Sequence, residues 1–372
     1  MKKMFLMALA ALSLASCSND EVLEIKQNAI TFDVVSDNAS RASTLYSNAV
    51  KPEKFIVYAV HNKTNADKTV TKTMYIDGVT VKKSGTSYVF EDGASRYWPA
   101  EGTLTFYAIV EPDYKYDGEN KGFTKKTVSL DNISYTMCHP EALSGQSSIG
   151  NFNEAIADQQ DFIYAVKDNQ TKTEDGKVSL NFRHAYSQIV FNGKIAENKK
   201  LYVKVNEIYV QDLYVLGEFT LPSLSTDDNV LESTENGVNK LYNQGEWTIL
   251  TQPKSCGYKV IPSNKLISST TAVTLTSGST ALLLIPQKST DTHKIKLKVN
   301  CDIYNVAGDT FNEATDQEVY SGDVDLEPEF EWKQGLKYVY TLIFDGNKLK
   351  PISFTVTVDD YIPGDSENVT VY

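Results

Sequence analysis

The sequence predicts an all-β fold divided into two tandem β-sandwich domains. Apolar and polar residues alternate with period two along most of the chain, as they do in strands with one buried face, while the 3.6-residue period of an amphipathic helix is nearly absent. The turn dipeptides Asp77-Gly78, Asp92-Gly93, Asp117-Gly118 and Asp345-Gly346 punctuate the alternating runs. A length of 372 residues is long for one sandwich, which favours two.

Residues 1–17 read as a signal segment. Met1-Lys2-Lys3 is positive, and the apolar run from Met4 to Leu14 is too short to span a bilayer comfortably. Leu14-Ala15-Ser16-Cys17 resembles the lipobox of bacterial lipoproteins, in which the cysteine is acylated and becomes the new N-terminus. The expectation is a lipid on Cys17 and a surface-exposed protein of the outer membrane. Ser18-Asn19-Asp20-Glu21 resembles the surface-export tether of Bacteroidetes lipoproteins.

Residues 18–41 then hold this tether and a first strand, in which Ile30, Phe32 and Val34 share one face against Thr31 and Asp33. A polar run, Ser36 to Ser40, leads to Arg41 and Ala42. An N-terminal sandwich is expected over 42–170, with strands at Phe55–Val60, Leu104–Val110 and Asp161–Ala165 and a long loop from Cys138 to Gln160. The polar stretch Lys167–Lys177 marks the expected boundary. A C-terminal sandwich over 171–372 carries the cleanest alternation: Ile295, Leu297, Val299, Cys301 and Ile303 face one way. Tyr338 to Phe344 and Ile352 to Val358 repeat the pattern. Beyond Pro363 and Gly364, Val369 and Val371 alternate with Thr370 and Tyr372.

Composition narrows the function classes. A formal charge of −12 and a pI near 4.9 exclude a phosphate-binding face for nucleic acid and a basic membrane-surface helix. Besides Cys17, the chain has Cys138, Cys256 and Cys301, an odd set without C-x-x-C spacing, and Cys301 reads as a core thiol. No nucleophile elbow, phosphate loop, dinucleotide fingerprint or zinc-protease motif occurs, and His61, His139, His184 and His293 lack metal-ligand spacing. Asp359 and Asp360 are adjacent in a strand and so point to opposite faces, which a carboxylate pair acting on one bond cannot do. Asp323, Asp325 and Glu327 lack a calcium-loop pattern and read as a solvated acidic face. The expectation is a protein without catalysis, cofactor or metal.

Several stretches, in order, resemble the fimbrillin family of Bacteroidetes, the subunits of a surface pilus. They are Ile30-Thr31-Phe32 with Ser40-Arg41-Ala42; Arg96-Tyr97-Trp98-Pro99 with Leu104-Thr105-Phe106-Tyr107-Ala108; and Leu180-Asn181-Phe182-Arg183-His184 running to Phe191. Leu282 to Gln287 and Gly335 to Thr341 complete the series, and Tyr361 departs from it where relatives often carry tryptophan. The resemblance implies two sandwiches of transthyretin-like topology. It also implies cleavage between Arg41 and Ala42 by a trypsin-like surface protease, which removes the lipid and the strand of Ile30, Phe32 and Val34. Partner subunits then join by donor-strand exchange, with 366–372, carrying Val369 and Val371, as the candidate donor. The same tract also reads as the protein's own last edge strand. A rival reading is an uncleaved surface lipoprotein, either an anchor for a fimbrial partner or a glycan binder that uses some of the 22 tyrosines as platforms.

Overall fold

The computed structural model describes residues 29–35, 52–111, 122–138, 161–226, 244–250, 257–262, 266–276, 281–308, 310–312, 315–347 and 352–360. Among them every regular element is a strand, as the alternation requires. In chain order the strands of the first half are β1 (Thr31–Val35), β2 (Lys54–Thr64), β3 (Val70–Ser84), β4 (Ser87–Phe90), β5 (Thr103–Val110), β6 (Gly122–Val128) and β7 (Ile133–Cys138). Next come β8 (Ile163–Gln170), β9 (Lys177–Asn181), β10 (Arg183–His184), β11 (Ser187–Ile195), β12 (Leu201–Gln211), β13 (Leu216–Thr220) and β14 (Glu246–Ile249). The last are β15 (Gly257–Val260), β16 (Leu266–Ile267), β17 (Val273–Thr274), β18 (Leu282–Leu284), β19 (Lys296–Asn305), β20 (Gln317–Leu326), β21 (Leu336–Phe344) and β22 (Ile352–Asp360).

Eight strands form the first sheet in the order β10-β8-β5-β2-β3-β4-β1-β9. Phe106 on β5 and Phe32 on β1 lie four strands apart in that order. A flat sheet would separate them by about 19 Å, at roughly 4.8 Å per strand. Their ring centroids are 5.7 Å apart, so the sheet rolls up around its own inner face. Its two end strands are joined by a single residue, Phe182, and β9 also lies against β8. Nearly all of the core inside this roll comes from the one sheet: Phe32, Phe55, Val57, Val81, Phe90, Phe106, Ala165 and Leu180 among others, with Trp98 added from a loop.

The outer face of β2, β5 and β8 is apolar too. Tyr58, Tyr107, Ile109 and Tyr164 pack against a four-stranded sheet, β14-β13-β7-β6, through Ile133, Tyr135, Met137 and Phe219. Alternation therefore fails in β5, whose residues 104–110 are all buried, because both of its faces are covered. The third and fourth sheets, β17-β11-β21-β22 with β18 and β15-β12-β19-β20 with β16, enclose a second core. Ile295, Leu297, Val299, Cys301 and Ile303 are fully buried there, as their alternation predicts. Burial raises the Cys301 thiol to about 12, so this free cysteine is an inert apolar side chain.

Two expectations need correction. The polar stretch Lys167–Lys177 is not a linker between domains, because it holds the end of β8 and the start of β9, and β8, β9 and β10 all belong to the first sheet. It is polar because it contains a turn, in which Thr173 Oγ1 donates to the Lys177 carbonyl and the Lys177 N–H to Asp175. The division at 170/171 thus cuts through the first sheet, and β13 and β14, from beyond it, share the small sheet with β6 and β7. Asp77-Gly78 is likewise not a hairpin turn. It lies inside β3, where the register with β2 shifts between Val57 and Ala59, so Asp77 and Gly78 together face Tyr58 in a bulge. Gly78 has φ of 63°, and a Cβ there would sit 2.9 Å from the Tyr58 hydroxyl.

Hydrogen bonds knit the layer around Tyr164 together and join it to the segment that leads into β21. The Tyr164 hydroxyl accepts from the Gly245 N–H at 3.0 Å and from Gln334 Nε2 at 2.6 Å. Trp247 Nε1 donates to the Ala185 carbonyl at 2.6 Å, and the Gly335 N–H to the Tyr186 carbonyl at 3.0 Å. Replacing Tyr164 by Phe keeps the ring but strands two donors, and is expected to cost about 1–3 kcal/mol in urea unfolding; an unchanged midpoint would show that the hydroxyl does not hold Gly245 and Gln334 in place.

Candidate functional site

The first strand occupies a slot in the wall of the rolled sheet. β1 pairs in parallel with β9 over five positions, from Thr31 opposite Lys177 to Val35 opposite Asn181. On its other side it pairs with β4 antiparallel, with Phe32 opposite Tyr88. It is therefore the strand that links β4 to β9. Alternation sends Ile30, Phe32 and Val34 inward, and none is more than 2% exposed. These three sequence-predicted residues thus converge on one core.

Phe32 sits at the centre. Its ring meets Phe55 of β2 at 6.1 Å, Phe90 of β4 at 5.7 Å and Phe106 of β5 at 5.7 Å, at interplanar angles of 83°, 81° and 84°. Each is an edge-to-face contact, the arrangement that the ring quadrupole favours. The walls have their own backing. Tyr88 and Phe182 lie against Phe55 at 5.2 and 5.3 Å, and Trp98 against Phe106 at 5.8 Å. Tyr88 is anchored in turn by its hydroxyl, which donates to the Pro52 carbonyl at 2.7 Å.

The N-terminal end of β1 is clasped by the loop from Glu91 to Pro99. The Ile30 N–H donates to the Arg96 carbonyl at 2.7 Å, and Ala29 forms a bridge with Tyr97. The Arg96 guanidinium covers the Phe90 ring at 4.4 Å and donates to both Asp92 oxygens at 2.6 and 2.5 Å. That fork, with the Ala94 N–H, holds the Asp92 carboxyl down at about 2. A lowered carboxylate pKa stabilises the folded state above the ordinary carboxylate range and is lost only as pH falls toward 2, so the clasp keeps its charge at neutral and mildly acidic pH.

Taking β1 away would have two consequences. Three side chains would leave the core, worth roughly 5–9 kcal/mol at about 1.5–3 kcal/mol each. The facing edges of β4 and β9 would lose their hydrogen-bonding partner, which makes them acceptors for another strand. The site can therefore bind a strand by its backbone and select it by its side chains. Cys17, Arg41, Ala42, Val369 and Val371 lie outside the described residues, so the expected lipid, cleavage point and donor have no structural account here.

Sequence reasoning missed the walls of the slot. Phe55, Phe90 and Phe106 look like ordinary strand residues, and only a rolled sheet brings them together. The Arg96-Tyr97-Trp98-Pro99 run was visible as a motif, and its place here is the clasp around Ala29 and Ile30. Other candidates are structural. His184 forms a buried hydrogen-bonded pair with Asp161. Asp323 accepts from Asn300 at 2.8 Å and pairs with Lys298 at 3.4 Å on the outer face of β19 and β20. Among the described residues no group of three or more His, Cys, Asp or Glu side chains could hold a metal ion. Trp98 and Trp332 are buried, and Trp247 packs on Tyr186 and Phe219 at 5.4 and 5.1 Å.

The sequence profile described as fimbrillin-like matches residues 40–360, a span that begins after β1. The chain is 24% identical to the fimbrium subunit Fim1C of Phocaeicola vulgatus, over 97% of this chain and 96% of that protein. Among solved structures, it resembles a fimbrial protein of Bacteroides vulgatus with a TM-score of 0.55 and 19% identity, covering 90% of this chain and all of that one.

Phe32→Ala is expected to lower stability in urea unfolding by about 3–5 kcal/mol, as truncation of a buried aromatic does. Thr31→Ala, on the opposite face of the same strand, should stay within about 0.5 kcal/mol. Equal effects of the two would contradict the slot geometry.

Proposed function

The chain belongs to the fimbrillin-like family, and from that premise we propose that it is a structural subunit of a cell-surface fimbria whose first strand is a removable plug. The observation that carries this reading is the position of β1. It completes the first sheet between β4 and β9 and fills the core, yet it belongs to a short segment ahead of the matched span. The relative named as a fimbrium subunit, similar over nearly its whole length, supports the same role.

In this reading Cys17 carries the lipid that brings the precursor to the outer membrane. A trypsin-like surface protease cuts between Arg41 and Ala42. The cut severs the plug from the body and frees the body from its lipid. A neighbouring subunit then lays a strand between β4 and β9, restoring the lost hydrogen bonds and the lost apolar burial together. The tract 366–372, with Val369 and Val371 on one face, is the chain's own candidate for donation to a neighbour. The resulting fibre supports adhesion at the cell surface.

The cost of leaving the slot empty drives assembly. Roughly 5–9 kcal/mol of side-chain burial, with ladder hydrogen bonds of about 1 kcal/mol each, is available only to a strand that fits. Part of that gain is offset by ordering the donor.

Arg41→Gln in the producing cell is expected to abolish cleavage and keep the chain out of fibres, while the purified variant unfolds at the same urea concentration as the parent. Fibres containing uncut Arg41→Gln chains would contradict the proposal.

A further inference from the structure

The slot does more than accept an apolar strand. Its three inward places are not equivalent. Ile30 and Val34 flank the centre, whereas the central place is a socket walled by Phe55, Phe90 and Phe106 from three different strands. These walls cannot close in on a smaller side chain. Phe55 is held by Tyr88 and Phe182, Phe106 by Trp98, and Phe90 is covered by the Arg96 guanidinium. A packed interior that cannot collapse penalises an underfilled site by the void it leaves.

Resting on the removable-strand reading above, we propose that the Phe32 position determines which strand this slot takes: the occupant is a strand of a different subunit with an aromatic side chain between two apolar ones at alternate positions, and not the tract 366–372 of a second copy of this chain.

No register of that tract suits the socket. Laid into the slot as a strand, Glu367, Val369 and Val371 would share one face, so Val369 at the centre would put a carboxylate into an apolar core. Val371 at the centre leaves the space of a phenyl ring mostly unfilled. Tyr372 would share the other face with Thr370 and Asn368, so seating its ring would bury a phenol hydroxyl among three phenyl rings and a threonine hydroxyl beside it. The tract is thereby left for a slot of another shape, and the subunit joins a mixed fibre with different neighbours on its two sides.

The test uses the full chain, clipped once after Arg41 by limited trypsin and checked by intact mass. The clipped protein is brought to equilibrium with synthetic peptides of residues 29–35, of 29–35 with Phe32→Val, of 366–372, and of 366–372 with Val371→Phe. Native mass spectrometry reads release of the N-terminal fragment and retention of each peptide. The peptide of 29–35 should exchange in, and its Phe32→Val form should bind at least about tenfold more weakly. The peptide of 366–372 should be weaker still and should gain on Val371→Phe. Binding of 366–372 within about threefold of 29–35 would overturn the proposal and leave the removable strand intact. If 29–35 itself failed to exchange, the removable-strand reading would fall, and the proposal with it.

Discussion

The structure depends on one short strand that joins β9 to the rest of an eight-stranded rolled sheet. Without it the edges of β4 and β9 would both stand unpaired. Here β4 and β9 face each other across β1, which supplies the backbone partner to both. The same strand supplies Phe32, around which rings from β2, β4 and β5 are arranged edge to face. Backbone pairing and core filling thus reside in a single five-residue element. Losing it would remove both at once.

The remainder of the molecule keeps that slot in shape. β5 is buried on both faces because the small sheet of β14-β13-β7-β6 covers its outer side, so the inner wall carrying Phe106 is held from behind. Gln334 and Gly335, just ahead of β21, join this layer to the second core through the Tyr164 hydroxyl and the Tyr186 carbonyl. Aromatic packing on both sides of β5 thus backs the slot that β1 occupies. The exposed ion pairs, such as Lys63–Glu101 and Lys72–Asp131, add little to stability.

Much of this was legible in the sequence where one face of a strand is wet. The inward set from Ile295 to Ile303 followed from period two alone, as did Ile30, Phe32 and Val34. Legibility failed where local pattern and tertiary context part. The polar run Lys167–Lys177 looks like a linker because turns and linkers share a composition, although it joins two strands of one sheet. Asp77-Gly78 has the chemistry of a hairpin turn and serves a bulge, which needs the same left-handed glycine. The socket was invisible because Phe55, Phe90 and Phe106 meet only when the sheet rolls, a long-range event that no local spacing encodes.

The central claim is that β1 completes the fold of the precursor and is absent from the assembled subunit. Its most direct test is the N-terminal sequence and intact mass of this chain isolated from surface fibres of the producing cell. A chain starting at Ala42, without lipid and without residues 29–35, is the result this account predicts. A chain in the fibre that starts at an acylated Cys17 and still carries β1 would contradict it.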